Sequence, residues 1–396
     1  MTLPVPVPRP CPICGETART LIHAHPLAPV EDVSLHAGYQ VVACAHCAMV
    51  YADGIPAQEA FDHYYQACSK YEDGTRMGQP SAVDQARFRA IAEELAAALP
   101  DRDGAIAEIG AATGGLLGEL KRRGFRQLLG VDPSPLCVAT TRERHGLEAV
   151  TGTIFQPIPG GPHAGILAVG VIEHIRDLDR ALANLRAALV PAGLLYLEVP
   201  DLEGFHRTNE APFQEFSTEH INFFTRASLD NLLARHGFEP AFGRIAQRLH
   251  SGGSSMQVVA QAYRKGTPPA AFAPRPDPAG PAAAAAYRDH CAAQCVAEHE
   301  LLGRLAREGQ PVAVWGAGTV ASRLMATSPL RDCQVVAFLD SNPHLQGHRL
   351  AGVGIHPPEW LRGFPGPVLI ASRGYAGEIE RLIRDQMGLA NPLLTL

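Results

Sequence analysis

Residues 105 to 134 read as strand, glycine turn, helix and second strand, and this unit restricts the chain to very few architectures. In "AIAEIGAATGGLL" an apolar run meets Gly110, Gly114 and Gly115. The next stretch, "LLGELKRRGF", has apolar residues at helical spacing and stops near Gly124, and "QLLGVDPS" returns as a strand ending at Asp132. The rhythm continues through "AGILAVGVIEH" (strand), "ALANLRAAL" (helix), "GLLYLEVP" (strand), "SLDNLLARHGF" (a helix closed by Gly237) and "SMQVVAQAY" (strand). A helix over about residues 82 to 99, carrying "FRAIAEELAAAL", precedes the first strand. Such alternation predicts an α/β fold: a doubly wound, mostly parallel sheet.

A strand closed by glycines is also a candidate ligand site, because the backbone there can pass close to a bound molecule. Glu108, Gly110 and Gly114 form the first such turn, and Asp132, one strand later, is placed to take ribose hydroxyls. A second turn lies in "PVAVWGAGTVAS", with Gly316, Gly318 and Ala321, and with Asp340 one unit on. Alone it is a weak dinucleotide fingerprint, open to NAD, to the nucleotide of a substrate, or to packing alone. Between the two, "KGTPPAAFAPRPDPAGP" has the composition of a linker and leads into a helix over about residues 282 to 308.

The amino-terminal segment has a different chemistry. Four of the nine cysteines fall in "CPICG" and "CAHCAMVY" as Cys11, Cys14, Cys44 and Cys47. Paired C-x-x-C turns can present four thiolates to one Zn2+, and four protein ligands leave no open position, so the expectation is a structural zinc. The alternative is a redox dithiol or four thiols without metal; His23, His25, His36 and His46 are spare nitrogens nearby. The net charge of -6 offers nothing to nucleic acid or an anionic membrane. "MTLPVPVPRP" lacks a basic and then apolar leader, and the longest apolar run, Gly165 to Ile172, is too short to span a bilayer. These features predict a cytoplasmic protein.

A glutamate–histidine dipeptide occurs twice beside apolar residues, as Glu173-His174 in "VGVIEHIRDL" and Glu219-His220 in "EFSTEHINFF". Imidazole titrates near neutrality and a neighbouring carboxylate can fix its tautomer, so each pair is a candidate acid–base site. The bland alternative is a pair of satisfied histidines. Phe223 and Phe224 would limit the access of water.

The spacing E-x-G-x-x-x-G followed by "GVDPS" resembles motif I and its acidic partner in class I S-adenosylmethionine-dependent methyltransferases, and "VIEHIRDL" and "PAGLLYLEVPD" resemble later strands of that family. With the cysteine knuckles, "EHINFF" and "GGSSMQV", the chain resembles nearly end to end the three-domain sugar C-methyltransferases of deoxysugar biosynthesis. The resemblance implies a zinc-binding module over 1–75, a methyltransferase core over 76–263, a linker over 264–285 and a Rossmann-like domain over 286–396. It implies S-adenosylmethionine at Glu108, Gly110, Gly114 and Asp132, and a nucleotide-linked keto sugar methylated beside its ketone. His220 is then the base, Glu219 its companion, His174 a second polar group, and Tyr71 a residue closing over the site. Two departures stand out: Ser217 where the family has tyrosine, and Gln346 where a lysine is expected. The runner-up is O- or N-methylation of a sugar or other small metabolite. A binding protein on a degenerate methyltransferase fold is the reading from another class.

Overall fold

The computed structural model describes residues 3–67, 81–249 and 254–396; Tyr71, together with Gly252 and Gly253 of "GGSSMQV", lies outside the described residues. The chain begins with β1 (Arg19–Pro26), β2 (Gly38–Cys44) and β3 (Val50–Asp53), followed by α1 (Gln58–Ala67) and α2 (Ala82–Ala98). Then come β4 (Ile106–Ile109), α3 (Gly115–Arg122), β5 (Leu128–Asp132), α4 (Pro135–His145) and β6 (Glu148–Thr151). The core continues with β7 (His163–Val169), α5 (Leu178–Ala188), β8 (Leu189–Pro200), β9 (Asn222–Phe223), α6 (Arg226–Arg235), β10 (Phe238–Leu249) and β11 (Ser255–Lys265). After α7 (Ala279–Glu308) follow β12 (Val312–Trp315), α8 (Thr319–Thr327), β13 (Val335–Leu339), β14 (Arg349–Leu350) and β15 (Val353–His356). The chain closes with β16 (Val368–Ile370), α9 (Ala376–Arg381) and β17 (Leu393–Thr395).

The central sheet has the order β10-β11-β8-β7-β4-β5-β6. Its five strands from β8 to β6 are parallel, and β11 and β10 add an antiparallel hairpin. All residues of β4 and β5 are buried, as strands covered by helices on both faces must be. This is the doubly wound, mostly parallel sheet expected from the sequence. The chain winds outward from β4 to β6 and then restarts at β7 on the other side of β4. That reversal opens a crevice beyond the carboxyl ends of β4 and β7, where α/β sheets bind ligands. A second parallel sheet, β14-β15-β13-β12-β16-β17, repeats the plan near the carboxyl terminus, with only β14 antiparallel.

Three features depart from the sequence reading. First, the apolar run through Ile172 is not one strand: β7 stops at Val169, Gly170 turns at φ 71°, and Ile172–His174 form a 3₁₀ turn. Glu173 and His174 are thereby lifted off the sheet into the crevice. Second, β9 leaves the central sheet and pairs with β3, Val50 opposite Phe223, so the amino-terminal sheet runs β1-β2-β3-β9. Third, the Pro-rich segment is docked along its course. Asn231 Nδ2 donates to Arg275 O (2.7 Å) while Arg275 N donates to Asn231 Oδ1 (3.0 Å), so one amide mimics a strand ladder. Asp277 N then donates to Cys47 O at 3.1 Å, beside the second cysteine turn. Among the described residues, no helix is long and apolar enough to cross a membrane.

Candidate active site

The crevice is shaped first by the turn after β4. Gly110 sits at φ 69°, and a Cβ there would meet Val171 Cγ2 at 2.8 Å, so the glycine turn and the segment bearing Glu173 are in direct contact. Gly114, at φ 76°, is the N-cap of α3. Asp132 ends β5 and ties the turn together: its Oδ2 accepts from Ala112 N (2.8 Å) and its Oδ1 from Ser134 N (2.9 Å). Glu108 is fully buried beneath them, and burial raises its carboxyl to about 8, opposed by the charge of Arg87. Its Oε2 has no hydrogen-bond partner among the described residues.

The two glutamate–histidine pairs, distant in sequence, meet at the mouth of this crevice. Ile221 N donates to Glu173 O at 2.9 Å, joining the two segments through their backbones. The His174 and His220 rings lie edge to face, with centroids 4.8 Å apart and planes at 71°. His174 Nδ1 is 3.2 Å from Glu219 O and 3.0 Å from the Tyr65 hydroxyl. Tyr64 donates its hydroxyl to Glu219 Oε1 at 3.3 Å, and Glu219 Oε2 is 4.0 Å from His174 Nδ1. Ser217 does not face the site as a donor: its Oγ accepts from Glu219 N (3.3 Å) and His220 N (3.1 Å), closing the turn that carries both residues.

Three side chains fix this juxtaposition and were not foreseen from the sequence. Arg9 is buried, with Nη1 donating to Ile221 O (3.1 Å) and Nη2 to Arg176 O (3.0 Å) and Asn222 Oδ1 (2.7 Å). Asn222 in turn donates through Nδ2 to Ile172 O (2.9 Å) and Ile175 O (2.8 Å), gripping both ends of the 3₁₀ turn. Gln58, at the start of α1, accepts from Arg176 N and Asp177 N and so docks the helix that bears Tyr64 and Tyr65. An arginine in a Pro-rich tail and an asparagine beside aromatics carry no local signal of such roles. Phe223 and Phe224 are core residues and do not wall the site: Phe223 packs on Phe216 with centroids 4.9 Å apart, and both are almost wholly buried.

The four predicted cysteines converge. Cys11 Sγ is 3.5 Å from Cys47 Sγ, Cys14 Sγ is 3.5 Å from Cys44 Sγ, and all four sulfurs lie within 4.8 Å of one another. Tetrahedral Zn2+ with bonds of about 2.3 Å needs sulfur separations of about 3.8 Å, so the cluster fits that ion. The two turns are built alike: Gly15 N donates to Cys11 O (2.9 Å) and Ala48 N to Cys44 O (3.1 Å). His23 and His25 serve elsewhere, His23 stacking on Phe213 at 4.5 Å, and burial lowers them to about 4 and about 3.

The second glycine turn repeats the bonding of the first. Ala317 N donates to Asp340 Oδ2 (2.8 Å) and Asn342 N to Asp340 Oδ1 (2.9 Å), as Ala112 and Ser134 do to Asp132. Gly316 N donates to Leu339 O at 2.7 Å, as Gly110 N does to Val131 O at 2.8 Å. Gln346, the departure noted above, donates Nε2 to Asp340 O at 2.9 Å and so packs against this turn.

Residues 83–241 match a family described as a methyltransferase domain. Among curated proteins, a C-methyltransferase NovU from Streptomyces niveus is 28% identical over 291 residues, covering 69% of this chain and 67% of that protein. Among solved structures, the 1,6-didemethyltoxoflavin-N1-methyltransferase of Burkholderia thailandensis is 18% identical and covers 61% of this chain and all of its own, with a TM-score of 0.41. The magnesium protoporphyrin IX methyltransferase of Synechocystis is 17% identical, covering 52% of this chain and 97% of its own, with a TM-score of 0.37. The domain match spans the crevice, the first Glu–His pair and the loop of the second, so residues 83–241 carry a methyltransferase domain.

Proposed function

We propose that this methyltransferase alkylates the carbon beside the ketone of a nucleotide-linked keto sugar, with His220 as the general base. The observation that carries the reading is the meeting of the two Glu–His pairs, joined by the Ile221–Glu173 bond, against the glycine turn. The C-methyltransferase named above is the relative that accords with it. Bound S-adenosylmethionine would supply an electrophilic methyl group, held by the Glu108–Gly110–Gly114 turn and by Asp132 through its ribose. The C–H bond beside a ketone must lose its proton before that carbon can attack, and a positioned imidazole suits the task. His220 takes the proton and the ketone oxygen gains the charge as an enolate. Glu219 is the companion of the base, and His174, with Tyr64 and Tyr65 nearby, forms the polar wall facing that charge, while Tyr71 keeps the closing role that the resemblance implies.

The four thiolates are assigned to a structural zinc, which has no open position for chemistry. The turn ending at Asp340 offers a second nucleoside site of the kind a nucleotide-linked substrate needs. Cysteines kept as thiolates for zinc accord with a reducing, cytoplasmic setting. A second reading, O-methylation, is favoured by Ser217, whose hydroxyl is spent on the turn where the sugar enzymes place a phenol. The same base would then deprotonate a hydroxyl.

The test uses a nucleoside-diphosphate 4-keto-6-deoxy sugar in deuterated water. The enzyme should exchange the α-proton for deuterium before methyl transfer, and His220→Ala should abolish exchange. The substitution should lower turnover by roughly 10²–10⁴ and leave cofactor affinity unchanged. Near-normal turnover in the variant sinks the base assignment. Methyl transfer to oxygen without exchange hands the reaction to the second reading.

A further inference from the structure

We infer that β10 is an interface: it pairs antiparallel with β10 of a second copy of this chain, across a two-fold axis at Ile245. The three sheets end in six edge strands. Four of them, β6, β9, β14 and β17, are short, from two to four residues, and offer little to a partner. The edge strand β1 is longer, but α7 lies against it, and Arg288 Nη1 donates to Ile22 O at 3.2 Å. The strand β10 runs for 12 residues. From Glu239 to Gln247, the backbone groups on its side away from β11 make no hydrogen bond among the described residues. An edge of that length is completed by another strand.

The side chains of β10 lack the charges that usually keep such an edge apart. Gly243, Ile245, Gln247 and Leu249 form its exposed row, and none of them is charged. Ile245 and Leu249 are 46% and 54% exposed. The alternate row, Phe242, Arg244, Ala246 and Arg248, is half-buried, and Arg244 is ion-paired with Glu94 of α2. Pro240 has no N–H, and the ladder with β11 is irregular between Pro240 and Phe242, so regular pairing starts at Phe242.

These residues choose the partner and the register. A closed two-fold pairing needs an edge complementary to itself. Centred on Ile245, Phe242 faces Arg248 of the second copy, Gly243 faces Gln247 and Arg244 faces Ala246. No two like charges meet, and Ile245 packs on its counterpart. Centring on Arg244 or Ala246 would set arginine against arginine, which is destabilising. Centring on Gly243 would draw Pro240 into the ladder, and centring on Gln247 would leave only residues 245–249 of β10 to pair. The pairing joins the two seven-stranded sheets into one. A strand pair of this length buries less than the roughly 1,200 Å² of a stable interface, so the dimer is reversible.

Sedimentation equilibrium of the full-length protein, from about 1 to about 500 µM, tests the pairing at concentrations suited to a small interface. The expected result is a monomer–dimer equilibrium without larger species. Ile245→Lys and Ile245→Glu each set like charges across the axis and should weaken dimerisation by at least about tenfold, with an unchanged urea midpoint showing that each variant is folded. Mixing the two variants places lysine opposite glutamate and should restore association. Protein that stays monomeric throughout overturns the interface and leaves the edge to a strand of another protein. Dimerisation that is undiminished in both variants, or that mixing does not recover, overturns the pairing through Ile245.

Discussion

Both oxygens of Asp132 already accept backbone N–H groups, so a ribose must use their remaining lone pairs. Asp132→Ala therefore removes two charge-assisted bonds to ligand, together worth on the order of 1.5–3 kcal/mol, and also loosens the turn. Calorimetry should show S-adenosylmethionine binding weakened by roughly ten- to a hundred-fold; an unchanged affinity would move the cofactor elsewhere. Glu108 makes a separate prediction. Burial raises it to about 8 from an ordinary value of 4.5, so the free protein holds it protonated at neutral pH. The cofactor brings positive charge, which favours the carboxylate. Binding should thus release a proton, and affinity should rise with pH up to about 8. The same shift acts oppositely on folding: the unfolded chain gives up this proton first, so stability falls as pH rises from 4.5 towards 8. Titrations in two buffers of different ionisation enthalpy check the release, and Glu108→Gln should abolish it. Equal apparent enthalpies for the parent protein would rule it out.

Among the elements, the two cysteine turns are built alike but differ at the residue that follows each knuckle. The residue after each knuckle adopts a left-handed conformation, Gly15 at φ 75° in the first and Ala48 at φ 64° in the second. Alanine there costs roughly 1–2 kcal/mol, partly offset by the greater chain entropy that glycine loses on folding. Ala48→Gly should accordingly stabilise the amino-terminal sheet, by about 1 kcal/mol or less, read as a shift in the urea midpoint. A destabilised variant would mean that the Ala48 methyl contributes packing that outweighs the strain. The knuckles were legible because their signal is local, two cysteines on one turn, and the strand–glycine–helix units were legible for the same reason. What escaped reading depends on distant partners. The strand β9 is two residues long and exists because β3, some 170 positions earlier, pairs with it. The strand β10 contains Pro240 and Gly243 and is exposed along much of its length, so neither propensity nor burial announced it, and its pairing with β11 makes it a strand. Arg9 and Asn222 are single polar residues whose use appears only once the loops they bridge are folded together.

Across the whole molecule, the loop from Phe213 to Asn222 is held from three sides. The long helix α7 grips its start, where Glu215 N donates to the Tyr287 hydroxyl (3.0 Å) and Phe213 N to Cys291 Sγ (3.1 Å). The amino-terminal segment holds the middle and end: Tyr39 donates to Ser217 O (2.9 Å), His36 Nε2 to Thr218 O (3.0 Å), and Arg9 to Ile221 O (3.1 Å). The central sheet meets it through Glu173 O. The crevice, in contrast, is built from β4, β5 and their turns, and the bonds that close its turn, from Ala112 N and Ser134 N to Asp132 and from Gly110 N to Val131 O, are local. Metal binding to such a cluster is also folding energy for the segment around it. Losing one thiolate should therefore disturb the histidine loop and spare the crevice. Cys14→Ser, in protein whose zinc content has been measured, should lower turnover by roughly 10²-fold, the cost of about an ångström of misplacement at the reacting groups. Calorimetric affinity for S-adenosylmethionine should stay within about a factor of three, well under the 1.4 kcal/mol that a tenfold change represents. If affinity falls in step with turnover, the two sheets unfold as one unit and this coupling is too narrow an account. If turnover survives the loss of metal, α7 and the central sheet suffice to hold His220, and the cysteine cluster has no part in placing the base.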